Sequence, residues 1–259
     1  MSHDFNTDIV DVVSHRPWPM PDRPWVMTQT WHDLLFAHWP IDPLEMRPKV
    51  PPEFELDLFG GMAWIGIVPF YMTNVAPRGI PSLPWVSEFP ELNVRTYVSM
   101  ANRPGVYFFS LDAGSALAVR AARVLLNLPY HAASMTVTRD GSAIHYRSLR
   151  DAERSAEFSA TYEPAGDPFA PPRGSLEYFL TERYCLYHRD HQSAPYRLEI
   201  HHPPWALQPA RARLVRNGLA DVNGLALPSA PPLLHFSKRQ DAIAWAPTSV
   251  DAERAGSAP

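Results

Sequence analysis

Two short runs of this 259-residue chain carry side chains able to move a proton or hold an anion. The first is Tyr130-His131, directly after Leu128-Pro129. A phenol beside an imidazole can serve as acid, base or hydrogen-bond donor to a carbonyl. Neighbours in a strand face opposite sides, so Tyr130 would share a face with Ala132 and Ser134, and His131 one with Ala133 and Met135. A bulge near Pro129 would bring both inward; without it, one of them alone reaches a lumen. A buried, hydrogen-bonded Tyr–His pair of purely structural value fits the same residues. The second run is Glu91 to Met100, where Glu91, Asn93, Arg95 and Tyr97 share one face and Leu92, Val94, Thr96 and Val98 the other. Facing a pocket, Arg95 would bind a carboxylate and Glu91 would act as acid or base. Facing water, the same residues make a hydrated strand face with a Glu–Arg pair of little energetic worth. Both orientations are open at this level.

Other chemistries find less support. His188-x-x-His191 and His201-His202 are the densest histidine clusters, and neither brings a third ligand for zinc. No metal and no cofactor is expected. Arg120 and Arg123 share a helix side that reads as solvated, and Arg183-Tyr184 could edge a pocket or form a structural ion pair. Cys185, the single cysteine, excludes an intramolecular disulfide and reads as a small buried hydrophobe in a reducing compartment. There is no Gly-rich phosphate loop and no Gly-x-Ser-x-Gly elbow. Only Lys49 and Lys238 are lysines; Lys238 reads as a solvated strand charge, because its neighbour Arg239 points to the opposite face. A net charge of −4 argues against nucleic acid and anionic lipid as partners. The first residues form neither a basic nor an apolar leader region, and no apolar run spans a membrane, so a cytoplasmic location is expected.

The elements that must position these residues are mostly strands. With 29 prolines, a helical bundle is excluded. Residues 1–27 hold four prolines and two tryptophans and read as an extended arm; 28–250 form one domain, and 251–259 a frayed tail. Strands are expected at Leu34–Trp39, Phe54–Phe59 and Met62–Tyr71, then in a hairpin of Glu91–Met100 and Val106–Leu111 turning at Asn102-Arg103-Pro104-Gly105. Asp42-Pro43 starts a short helix. A longer helix, capped by Asp112 or Ser115, runs to about Asn127 with Leu117, Ala121, Val124 and Leu125 on its apolar side. A second hairpin spans His131–Thr138 and Ala143–Leu149, Ser175 caps a further short helix, and strands follow at Tyr184–His188, Tyr196–His201 and Leu233–Trp245. With no βαβ alternation apparent, the pattern predicts a mainly β, β-rich α+β barrel or sandwich.

Several segments together resemble the YqjF-like uncharacterised bacterial family, a distant relative of acetoacetate decarboxylase. They are Leu35-Phe36-Ala37-His38-Trp39, Gly61-Met62-Ala63-Trp64-Ile65-Gly66, Pro90 to Val98, Gly105 to Asp112, Leu128-Pro129-Tyr130 and Phe179 to Tyr184. The resemblance implies an acetoacetate decarboxylase-like closed, cone-shaped β-barrel with a few short helices and a central pocket. In the decarboxylase branch, a lysine after the helix-ending proline forms an imine with a β-keto acid, and a second lysine lowers its pKa. Here Tyr130 and His131 occupy those two places, and neither forms a protonated imine. Trp64, Tyr97, Phe108 and Tyr130 are expected to wall the pocket, with Arg95 and Asn93 favouring a small organic acid or carbonyl compound. A non-Schiff-base lyase or hydratase using Glu91, Tyr130 or His131 is the alternative. A subunit whose barrel edge drives homo-oligomer assembly is a third reading.

Overall fold

Runs rich in Val, Ile, Phe and Tyr with period-two alternation favour pleated strands, and the frequent prolines keep helices short. The computed structural model describes residues 5–82 and 87–250. The expected tail, 251–259, lies outside the described residues. The elements are β1 (Met27–Ile41), α1 (Pro43–Met46), β2 (Glu55–Leu56), β3 (Ala63–Pro77), β4 (Phe89–Met100), β5 (Arg103–Ala113) and α2 (Ala116–Leu126). They continue with β6 (Tyr130–Asp140), β7 (Ala143–Arg150), β8 (Glu157–Pro164), α3 (Leu176–Thr181), β9 (Cys185–Arg189) and β10 (Pro195–His201). Last come β11 (Gln208–Asn217), α4 (Leu219–Val222), β12 (Leu233–Ala244) and β13 (Thr248–Ser249). Among the described residues no helix is long and apolar enough to cross a membrane.

The sheet closes twice. One ring runs β5–β6–β7–β8–β11–β12–β1–β3–β4 and returns to β5. A smaller ring uses β9 and β10 instead, from β5 to β12, and shares the wall β12–β1–β3–β4. Alternation along the shared strands divides their side chains between two compartments. Leu35, Ala37, Ile65, Ile67, Leu92 and Val94 join Ile144, Tyr146, Phe158 and Tyr162 in the main core. Leu34, Phe36, Val68 and Phe70 face the other way, into the smaller ring. The first compartment is filled by side chains; the second holds a cavity.

Local signals act as expected in several places. Asp42 caps α1 by accepting from the Leu44 amide, with Pro43 at the first helical position. Ser115 caps α2 through Ala118, and Ser175 caps α3 through Tyr178. Elsewhere tertiary context overrides the local reading. The β4–β5 turn is the residue pair Ala101–Asn102, with φ of 51° and 59°, so Pro104 and Gly105 lie inside β5. Such left-handed pairs match the twist of the flanking strands. Strands β8 and β11 were not expected; their buried positions are Phe158, Ala160 and Tyr162 in one, and half-buried Ala210, Ala212 and Leu214 in the other. One β5–α2–β6 crossover is present within this pattern of no βαβ alternation, with Leu111 to Ala113 paired in parallel to Tyr130 to Ala132. The arm is not uniformly extended either: Thr7–Asp11 forms a 3-10 turn whose Ile9 packs on Ile243 and Trp245. Further on, Arg16 and Trp18 both donate to the buried Glu199 carboxylate.

Gly105 occupies the tightest point of the smaller ring. A Cβ there would lie 2.8 Å from the Cys185 carbonyl oxygen, the Cys185 sulfur and a ring carbon of Tyr187. The carbonyl belongs to the paired strand β9 and cannot move without opening the β5–β9 ladder. Gly105→Ala is expected to lower unfolding free energy by about 3 kcal/mol, at the upper end of overpacking effects. Urea denaturation checks this; a loss under about 0.5 kcal/mol, as at an ordinary surface site, would show that β9 yields.

Candidate functional site

The smaller ring encloses a cavity of about 270 Å³, close to the lower bound of small-molecule sites. Strand β4 lays Phe89, Glu91, Asn93 and Arg95 along one wall, so its polar face looks inward, not to water. Four residue steps of extended strand carry the chain from Glu91 to Arg95, roughly 13 Å along the backbone at about 3.3 Å each. Two bulges recruit further wall residues. Asp33, at φ 51°, breaks the alternation of β1 so that Trp31 joins Leu34 and Phe36 on the cavity side. In β5, pairing jumps from Ser110 opposite Val94 to Phe108 opposite Arg95, and Phe108 and Leu111 both face inward.

Tyr130 reaches the cavity through an elbow at Pro129. The Tyr130 amide donates to the Leu128 carbonyl at 2.8 Å, and the Leu111 amide to the Pro129 carbonyl at 3.0 Å. Arg123, in the last turn of α2, donates to the Tyr130 carbonyl. Asn127 ends α2 at φ 49° and ties it to Arg189 and Asp190 through its side-chain amide. The Tyr130 hydroxyl then donates to Glu91 Oε2 at 2.9 Å. Among the described residues Oε1 of Glu91 accepts no hydrogen bond. Burial, reinforced by the nearby Asp112 charge and opposed by the Tyr130 hydrogen bond, pushes the Glu91 carboxyl up to about 7. Burial and the Glu91 carboxylate hold the Tyr130 phenol well above its usual range, so it stays a neutral donor.

At the deep end, the Arg95 guanidinium lies 5.4 Å from the Phe36 ring and 5.8 Å from the Tyr97 ring. Its Nη2 makes a long contact of 3.4 Å to the Leu180 carbonyl, and no carboxylate among the described residues pairs with it. Gly66, between His38 and Arg95 in register, leaves room for both: a Cβ would meet the His38 ring at 3.0 Å and Arg95 Cγ at 3.3 Å. The second guanidinium of the lining is already committed, since Arg183 pairs with Asp57 and donates to the Phe179 carbonyl.

Other expected residues lie elsewhere. His131 is on the opposite face of β6, beside Asp112 and Arg150; burial and the cations Arg150 and Arg123 lower it to about 4. Strand alternation past Pro129 therefore separates the Tyr130–His131 pair, and only Tyr130 enters. Tyr97 is fully buried beneath Arg95, where its hydroxyl donates to the Leu180 carbonyl and accepts from His38; it seals the floor without lining the cavity. Trp64 sits a level further on, in a cluster with Tyr97, Val106 and Leu180, also outside the lining. Of the side of α2 expected to be apolar, Ala121 and Leu125 line the cavity, whereas Leu117 and Val124 are 60% and 63% exposed and Ala118 and Ala122 complete the roof. Helical spacing alone does not reveal where the roof comes close enough to take alanine. Trp205, Leu186 and Leu198 complete the walls from segments that carried no site signal in sequence. Neither lysine contributes: Lys238 is largely exposed and pairs with Asp33 at 2.7 Å, and Lys49 is absent from the lining. His201 Nε2 donates to the Ile9 carbonyl, and the His202 ring nitrogens face the Arg183 and Pro203 carbonyls and the Gln240 amide.

Solved structures of similar fold include the enduracididine biosynthesis enzyme MppR complexed with pyruvate (TM-score 0.61, 12% identity, 91% of this chain and 93% of that one). Acetoacetate decarboxylase from Legionella pneumophila aligns with TM-score 0.61 at 11% identity, over 96% and 98% of the two chains. An acetoacetate decarboxylase-like enzyme from Sphingomonas wittichii RW1 gives 0.59 at 11% identity, over 91% and 97%. At such identities the likeness concerns the fold, which is acetoacetate decarboxylase-like. In sequence, the uncharacterized protein YqjF of Bacillus subtilis (strain 168) is 47% identical over 226 residues, covering 87% of this chain and 93% of the relative. Residues 28–241 match the DUF2071 model, described as an uncharacterized conserved protein. The chain belongs to this YqjF-like DUF2071 family.

Proposed function

We propose that this protein binds a small organic acid or carbonyl compound in the β-barrel cavity and does so without Schiff-base chemistry. One observation carries the reading. Asn93 Oδ1 and Arg95 Nε are buried polar atoms with no protein partner, and both belong to the cavity face of β4. Buried polar groups left unpaired cost free energy, so a site that retains two of them side by side is suited to a polar ligand. Arg95 offers the positive charge for a carboxylate, Asn93 accepts from a hydroxyl or amide, and the Glu91–Tyr130 pair stands further up the same strand. Thermal-shift measurements with short oxo and hydroxy acids are expected to show stabilisation; no shift with any of them would overturn the reading. Borohydride reduction in the presence of acetoacetate is expected to leave the protein mass unchanged, and a lysine adduct would refute the absence of imine chemistry.

The Glu91–Tyr130 geometry also favours a second reading, a lyase or hydratase that works by proton transfer. A carboxyl titrating near 7 is matched to general acid–base work at neutral pH. In this reading the Glu91 carboxylate takes a proton from the carbon next to a ligand carbonyl. Once protonated, Glu91 donates to Tyr130, which frees the phenol to donate to the resulting enolate oxygen. His131, on the far face, takes no part. Turnover of a β-oxo or β-hydroxy acid that survives Glu91→Gln unchanged would exclude it.

A further inference from the structure

The distribution of polarity inside the cavity narrows the ligand class further, and this step rests on the acid-binding reading above. Most polar side chains of the lining are already satisfied by the protein. The amide oxygen of Gln29 accepts from Trp31, Thr181 donates to the Glu177 carbonyl, and His202 is held by backbone carbonyls of Arg183 and Pro203. Among the described lining residues, uncommitted polar capacity is concentrated in Glu91, Asn93 and Arg95, with Tyr130 beside them; the Gln29 amide nitrogen, nearer the mouth, meets the Met27 sulfur at 3.9 Å. Register places these groups low in the ring: Arg95 is level with Gly66 and His38, and Glu91 with Phe70. Above Glu91 the walls turn largely apolar, with Met72, Leu128, Leu198 and Ile200, and Gln29 as the polar exception among the described residues. This apolar lining continues outward to Leu125, which belongs to the cavity wall although it is 74% exposed. At roughly 30 Å³ per water-sized group, 270 Å³ holds about nine such groups. An acid of three or four carbons seated on Arg95 would leave water against the apolar upper walls, an unfavourable arrangement.

We infer that the natural ligand is an amphipathic acid: a carboxylate or oxo-carboxylate head on Arg95 and Asn93, carrying a medium-length alkyl or aryl chain that runs past Glu91–Tyr130 and beneath α2 to the mouth. Its oxygen functions lie at the head and near Glu91, and its chain runs against mainly apolar side chains. Because the wall reaches the surface at Leu125, a longer chain projects into solvent instead of clashing.

Isothermal titration of the full chain with propanoate, butanoate, hexanoate, octanoate and hydrocinnamate tests this. Affinity is expected to rise about fourfold per methylene, corresponding to about 0.8 kcal/mol for each CH₂ buried, and then to level off. Hydrocinnamate is expected to bind more tightly than butanoate. Ala122→Asp, on the partly exposed roof helix, is expected to flatten the slope with chain length. Binding of propanoate as tight as that of octanoate would overturn the amphipathic class and leave acid binding intact. Absence of binding by every acid would overturn both.

Discussion

Arg95→Met is expected to weaken binding of short carboxylates about 100-fold, close to 2.7 kcal/mol, while leaving the melting temperature near that of the unmodified protein. The loss follows from charge-assisted hydrogen bonds, worth roughly 1.5–3 kcal/mol each when their partner is desolvated. No other uncommitted cation lines the cavity among the described residues, since Arg183 is paired with Asp57. Stability responds differently because Arg95 has no carboxylate partner in the folded state. Desolvating an unpaired guanidinium opposes folding. Its stacking over Phe36 and Tyr97 contributes in the other direction, about 0.5–2 kcal/mol. Methionine retains the apolar stem and removes both contributions, so they largely cancel. Titration with hexanoate together with a melting curve separates the outcomes. Undiminished affinity would remove Arg95 from the site, whereas a large drop in melting temperature would show it to be structural.

The second large effect concerns pH. Glu91 titrates near 7 in the folded protein against an ordinary value of 4.5, a difference worth about 3 kcal/mol at 1.36 kcal/mol per pKa step. The carboxyl is raised, so the folded state holds its proton more tightly than the unfolded state does. The associated stability is fully present below pH 4.5 and is lost as pH rises through about 7. Glu91→Gln keeps an acceptor for the Tyr130 hydroxyl and cannot ionise. Relative to this variant, the unmodified protein is expected to lose about 3 kcal/mol between pH 4.5 and pH 8, leaving the variant the more stable at alkaline pH. Urea denaturation of both proteins across that range measures the difference directly. A difference independent of pH would mean that the carboxyl is not desolvated. Binding of an acid ligand adds a like charge to the same cavity and is expected to weaken as Glu91 ionises, a trend the glutamine variant should lack.

Much of the candidate site was legible along the chain because β4 obeys strict alternation. Glu91, Asn93 and Arg95 share a face whatever surrounds them, and the opposite face is apolar at Leu92, Val94 and Val98, with Thr96 the one polar residue. Cap residues likewise announced α1, α2 and α3, since Asp42, Ser115 and Ser175 each satisfy a helix-terminal amide within a few residues. What failed were readings in which sequence-local rules compete with distant neighbours. Pro104-Gly105 reads as a turn, yet Gly105 is in a strand because β9 passes too close for any side chain. Leu117 and Val124 read as part of a buried stripe with Ala121 and Leu125, yet only the latter two line the cavity, because the helix turns its Ala118–Ala122 side to the barrel. Strand β11 carries Arg211, Arg213 and Arg216 on its exposed face, which masks the apolar alternation beneath.

By itself, then, the sequence determined a β-rich chain with no lysine after Pro129, a polar strip on one strand, and an adjacent Tyr–His pair whose division between two faces hung on whether the strand bulges. Only the tertiary structure decided that the strip and Tyr130 look into a cavity and His131 does not. The reason is topological. β4 is shared by two closed rings, and either of its faces satisfies the same alternation. Which face meets side chains and which meets open space depends on β9, β10 and α2, far away in sequence. Tyr130 meets Glu91 across 39 residues through the β5–α2–β6 crossover, a contact that no local spacing encodes.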